Sequence, residues 1–211
     1  MEPIRQTLRI TRAILEKDWR ESWRQIFFMA AFLFTPTILT VLNSQSLTFR
    51  HGLMAGALGG SAWALAQGWF QKERQNRTLE LLLALPAKPY QVVIAKHVSL
   101  CSAILFMNIP SLLSGDFRLT FIATSFGLLM AVTFMACTVV SDKLWAPQIP
   151  FWILMVLFVP LGRLQERFFP IGLELLRAMQ QHPEVPALVA LLWTPIIAAV
   201  SALVFHYRES M

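Results

Sequence analysis

The sequence predicts an all-α integral membrane protein with six transmembrane helices, and three observations carry that expectation. Hydrophobic residues make up 56% of the 211 and charged residues only 14%, against roughly 25% charged in a soluble domain. Mean hydropathy is +0.56. Apolar runs long enough to cross a hydrocarbon core of about 30 Å recur along the chain. They are continuous rather than alternating, which argues against a transmembrane barrel. Sixteen Phe and seven Trp beside so few charges exclude a disordered chain. Two cysteines cannot staple a scaffold; Cys101 in LCSAILF and Cys137 in MACTVV read as buried free thiols.

The apolar runs fall near 26–43, 52–70, 92–113, 119–140, 146–162 and 186–206. The fifth is short and punctuated by Pro147, Pro150 and Pro160, which a span tolerates when neighbouring helices or waters satisfy the freed carbonyls. Basic residues orient the set. Those before span 1, between spans 2 and 3, between spans 4 and 5 and after span 6 number 13, against 5 on the other side (Arg50, Arg118, Arg163, Arg167, Arg177). The positive-inside rule then puts both termini in the cytoplasm of a multi-pass cell-membrane protein. Basic charge that flanks spans needs no nucleic-acid partner. The basic leader is long and no small-residue cleavage site follows the first apolar run, so span 1 is expected to stay as an anchor.

Ahead of the membrane domain of residues 26–211, residues 1–25 form an amphipathic helix. Ile4, Leu8, Thr11, Leu15, Trp19 and Ile26 share one arc, widened by Ile10 and Ile14; Arg5, Arg9, Arg12, Glu16, Lys17, Arg20 and Arg24 take the other side. Such a helix can lie in the headgroup plane, with Trp19 and Trp23 at interfacial depth, or contact a partner. Span 2 carries small residues at every fourth position, Gly52, Gly56, Gly60, Ala64 and Gly68, a helix-packing seam whose mate is either intramolecular or a second copy.

The segment QKERQNRTLELLLALPAKPYQVVIAKH between spans 2 and 3 is the most informative. Thr78 can cap a short helix to Leu85, Glu80 complements its dipole, and Pro86 and Pro89 stop it. Leu79, Leu81, Leu82, Leu83 and Leu85 are too apolar to face water, so they must cover the leader, the membrane surface or a docked protein. Residues 163–185, before span 6, read as short outer-side helices dipping into the interface and partly re-entrant.

Catalytic patterns are missing. There is no GxxxxGK[ST], HExxH or GxSxG, and His51, His97, His182 and His206 are scattered. No Asp or Glu falls mid-span, which argues against an ion-coupled pump. Lys96, beside His97 at the start of span 3, is read as snorkelling to the interface. Asn43, Gln67, Asn108 and Ser111 are polar groups in or at the ends of spans, suited to bonding across helices.

Span 2, KERQNRTLELLLALP and the Ala95–Lys96 pair before span 3 together resemble the permease subunits of ATP-binding-cassette exporters of the second type. The matching residues are Glu73–Arg74, Thr78–Leu79–Glu80, Leu82–Leu83, Pro86 and Lys96; Arg77 departs from the Gly common before the Thr. The motif covers about 25 residues and the architecture the whole chain. The resemblance implies an amphipathic connecting helix, and a coupling helix after span 2 that sits in a groove on a separate ATPase. The functional unit it implies pairs two permeases with two ATPases, and ATP and Mg bind only the partner chain. Glu73, Arg74, Thr78, Leu79, Glu80, Leu82, Leu83 and Pro86 would make that contact, and the chain itself would not be an enzyme. Two alternatives stand beside it. One is the small permease of the haem exporter of cytochrome c maturation; the other is a non-transporting membrane scaffold. The cargo is not legible, although uncharged spans favour a lipid-like, hydrophobic or peptide substrate.

Overall fold

A computed structural model describes residues 2–42, 60–71, 73, 76, 88–112, 117–141, 181–182 and 184–210. These residues are helical wherever they are regular, and no strand occurs among them. In chain order the elements are α1 (Glu2–Leu42), α2 (60–66) running into a π-helical turn (Gln67–Gln71), α3 (Pro89–Met107), α4 (Ile109–Leu112), α5 (Phe117–Val140) and α6 (Glu184–Ser210). Three stretches, Pro89–Met107, Thr120–Val140 and Glu184–Arg208, are long and apolar enough to cross a membrane. They coincide with the third, fourth and sixth spans expected from sequence. The fifth span and most of 163–185 lie outside the described residues, as does the start of the second span.

Local chemistry sets the boundaries of the third span. Lys88 is extended, as a residue before proline must be, and Pro89 opens α3, where its missing N–H removes no bond. The Lys88 N–H donates to Gln91 Oε1 at 3.0 Å, which caps the entry. Sequence puts one span over 92–113, but the helix breaks at Asn108. Pro110 lacks an N–H and its ring would clash with the carbonyl of Phe106, so the chain re-enters a helix only as the short α4. At the break the Asn108 N–H is shared between the Ile104 and Leu105 carbonyls at 3.0 and 3.2 Å. The Asn108 amide reaches across to α5, donating to Thr124 Oγ1 and, at 3.4 Å, to the Thr120 carbonyl.

α5 carries four hydroxyls that satisfy themselves. Thr124, Ser125, Thr133 and Thr138 each donate to a carbonyl three or four residues back, so the helix presents them to its neighbours without an unmet bond. α6 contains Pro195, and Thr194 donates to Ala190 at 2.9 Å beside it.

The core is one cluster in which α1, α2, α3, α5 and α6 meet through Ile26, Leu65, Leu100, Ile104, Phe134 and Phe205, with alanines at the close approaches (Ala62, Ala66, Ala103, Ala131, Ala202). α6 is the outer member. Leu192, Trp193, Ile196, Val200 and Leu203 on it are about half exposed or more, an apolar face that the described residues leave uncovered.

α1 runs alongside α3 in the same direction. Ile10 and Ile14 pack on Val92 and Ala95, and Trp19 donates to Ser102 Oγ at 2.9 Å and stands edge-on to Phe106. Ile10, Ile14 and Trp19 of the leader's apolar arc therefore cover α3, while Leu8 and Trp23 stay exposed. Leader and first apolar run form one uninterrupted helix of 41 residues.

Candidate functional site

Between α1, α3 and the residues just beyond the π turn lies a cluster of four charges. Lys96, in the second turn of α3, is fully buried (0% exposed). Its ammonium donates to Asp18 Oδ1 at 2.5 Å and Glu73 Oε1 at 2.8 Å. The same Glu73 oxygen accepts from Lys17 Nζ, and Lys17 Nζ also lies 3.8 Å from Glu21 Oε1, one turn further along α1. Burial of Lys96 alone would cost several kcal/mol. Two carboxylates within bonding distance make the position tenable, and the two lysines and two acids at the centre balance to zero.

Each side chain is positioned by its element. Asp18 is on the stripe Ile14, Asp18, Ser22, Ile26 and Ala30, four residues apart, all buried on the side of α1 that faces the core. Glu73 follows the π turn. The Trp69 indole N–H within that turn donates to Ser22 Oγ, one turn beyond Asp18, so Ser22 holds the turn, and Lys17 holds Glu73, to one edge of α1. A π turn shifts the side chains after it relative to a regular helix, and such turns recur at functional positions. Next to Lys96, His97 bonds the other way: Nδ1–H donates to the Val93 carbonyl at 2.8 Å, and Nε2 faces Ser201 Oγ on α6 at 3.2 Å. Consecutive residues thus tie α3 to the leader and to the last helix.

Electrostatics differ across the cluster. Burial lifts the Asp18 carboxyl above the ordinary aspartate range, with the Lys96 ammonium pulling it back. Burial works to lower Lys17, but its bond to Glu73 outweighs that and its value stands above the ordinary one for lysine. Among the described residues no group of three or more His, Cys, Asp or Glu could hold a metal ion. The cluster offers charge-assisted bonds between three pieces of chain and no activated nucleophile; what it can do chemically is hold, or release, those pieces.

Of the site residues expected from sequence, Glu73 is brought into this cluster. Lys96 is there too, inward and ion-paired rather than snorkelling: a carboxylate on either side is a better solvent for the ammonium than a stretched path to the interface. Arg74, Thr78, Leu79, Glu80, Leu82, Leu83 and Pro86 lie outside the described residues. So do Gly52 and Gly56 of the small-residue seam. A Cβ at Gly60 would meet nothing within 4 Å among the described residues, and one at Gly68 would meet only Gln25 Oε1 at 4.0 Å; Ala64 is half-buried. Of the polar residues singled out in spans, Asn108 bridges α3 to α5 as described and Gln67 is half-buried in the π turn. Asn43 and the Ser111 side chain lie outside the described residues.

Sequence reasoning missed Asp18 and gave Lys17 only a solvated role. The signal was present. At 100° per residue Asp18 falls in the middle of the arc spanned by Ile10 and Trp19, and an acid at the centre of an apolar stripe calls for a buried cation.

No protein-family model, curated protein or solved structure matches this chain.

Proposed function

We propose that the chain is the permease subunit of an ATP-binding-cassette exporter of the second type, resident in the cell membrane with both termini in the cytoplasm. It would work with a second permease and two ATPase subunits that carry the ATP and Mg. Three membrane-length helices supply the setting, and the Glu73–Arg74 to Lys96 motif supplies the family resemblance. The observation that carries the reading is the attachment of Glu73. This residue precedes Thr78, the start of the leucine-rich segment, by five positions and is tied through Lys96 and Lys17 to both α3 and the leader. A docked motor must push on something stiff, and charge-assisted bonds to two helices give the segment such a base.

In this reading ATP binding closes the two ATPases, and the displacement enters through Leu79, Leu82 and Leu83. It falls first on the charged cluster where Glu73 meets Lys96 and Lys17, and α3, which also touches α6 through His97 and Ser201, shifts with the other spans to open a path outward along the permease interface. Apolar side chains suit the contact because force transmission needs shape and stiffness more than charge.

Purification from native membranes tests the assignment. A stoichiometric ATPase is expected to accompany the wild-type chain. Leu82→Asp with Leu83→Asp should abolish that co-purification or uncouple ATP hydrolysis from export, with membrane insertion intact. Undiminished export by the double variant would overturn the reading, and a stoichiometric partner that is not an ATPase would favour the scaffold.

A further inference from the structure

We infer that Glu73 is a releasable latch between the leader helix and the chain entering the leucine-rich segment, and that Asp18 and Glu21 are the waiting partners that let it go. The inference deepens the function proposed above and rests on it for the force that works the latch; the exchange of partners stands on the cluster alone.

The geometry assigns unequal roles to the acids. Glu73 Oε1 is shared by two ammonium groups, Lys96 and Lys17. Each of those lysines has a second acid that does not depend on Glu73. Lys96 keeps Asp18 at 2.5 Å, both buried and both on long helices packed side by side. Lys17 has Glu21 at 3.8 Å on its own helix, one turn away, and is itself a third exposed. Removing Glu73 therefore strands neither cation: Lys96–Asp18 remains inside, and Lys17 turns outward to Glu21. Removing Asp18 is different, because Lys96 is then left with Glu73 alone, and departure of Glu73 would leave a buried ammonium without a counter-charge. The leader thus sets how readily the latch opens. Loss of Glu73 should open it, loss of Asp18 should fix it shut, and loss of Glu21 should make it stiffer.

Spin labels at Ala13 and Asn76 test this in the full-length chain. Both positions are exposed, on the leader and just beyond Glu73, in a background with Cys101→Ser and Cys137→Ser. In the complete complex without nucleotide the distance distribution should be narrow, and Glu73→Gln should broaden or lengthen it. Asp18→Asn should leave it narrow. ATP with vanadate should move the wild type toward the Glu73→Gln distribution, Glu21→Gln less so and Asp18→Asn not at all. A Glu73→Gln distribution identical to wild type, or an Asp18→Asn distribution as broad as that of Glu73→Gln, overturns the latch. The nucleotide-free comparison of variants needs no motor, so it decides the partner exchange even if no ATPase purifies with the chain. A response of wild type and Asp18→Asn alike to ATP would keep the exporter and discard the latch.

Discussion

Two seams meet at α3, and they are built on different physics. Toward α5 and α6 the contact is mainly apolar, filled by Leu100, Ile104, Phe134 and Phe205, with uncharged hydrogen bonds from Asn108 to α5 and between His97 and Ser201. Toward the leader the apolar contacts of Ile10, Ile14 and Trp19 flank a centre of four charges. The first seam is non-directional: many side-chain arrangements of similar volume would fill it. The second fixes register, because the buried Lys96 ammonium has its leader counter-charge only when Asp18 stands opposite it. A leader whose outer side carries Arg9, Arg12, Arg20 and Arg24, all exposed, could slide along an apolar groove. A buried ammonium stops it.

The largest expected effect breaks the charged seam. Lys96→Met leaves Asp18 buried without its cation and Glu73 with Lys17 alone, and should lower stability in detergent by about 3–5 kcal/mol. Adding Asp18→Leu and Glu73→Leu to that variant should restore most of the loss while leaving any transport defect in place. Thermal unfolding of the single and triple variants checks both statements, and a triple variant no more stable than the single one would mean that packing, not charge, holds the leader.

A smaller effect probes the apolar seam. Phe134→Ala should cost about 1–3 kcal/mol, less than in a soluble core, because helices separated in lipid or detergent lose packing contacts without exposing the side chain to water. Since many side chains share that contact, Phe134→Leu should recover most of it. Lys96→Arg should not recover the charged seam as fully, because the broader guanidinium does not fit a site shaped for an ammonium.

The smallest effect is in pH. Asp18 stands above the ordinary aspartate value when folded, so its contribution to stability is complete below the unfolded value and is lost as pH rises through the folded one. The stability of wild type relative to Asp18→Asn should therefore grow as pH falls through the folded Asp18 value. Unfolding of the two proteins across that range measures it, and a flat difference would mean that the Lys96 ammonium offsets the burial of the carboxyl.

Much of this arrangement is legible in the chain. The three described membrane-length helices stand where continuous apolar runs place them, because a run of that length has no other stable solution in a bilayer. Pro89 and Pro110 mark helix edges that a proline-free reading of hydropathy blurs. Glu73 and Lys96 are visible as parts of a motif, although their contact is not, since twenty-three positions separate them. Lys17 and Asp18 are harder still. They sit in a stretch whose overall pattern is that of a surface helix, and only the angular position of Asp18 betrays that one acid faces inward.

By itself, then, the sequence determined the class: all-helical, with apolar helices of membrane-spanning length. Only the tertiary structure decided which charges meet, and that the leader lies along α3. The reason is physical. Hydropathy is a sum over neighbours in the chain and survives any folding, whereas neutralising a buried ammonium depends on groups brought within about 3 Å from distant positions, and that distance exists only once the helices have packed.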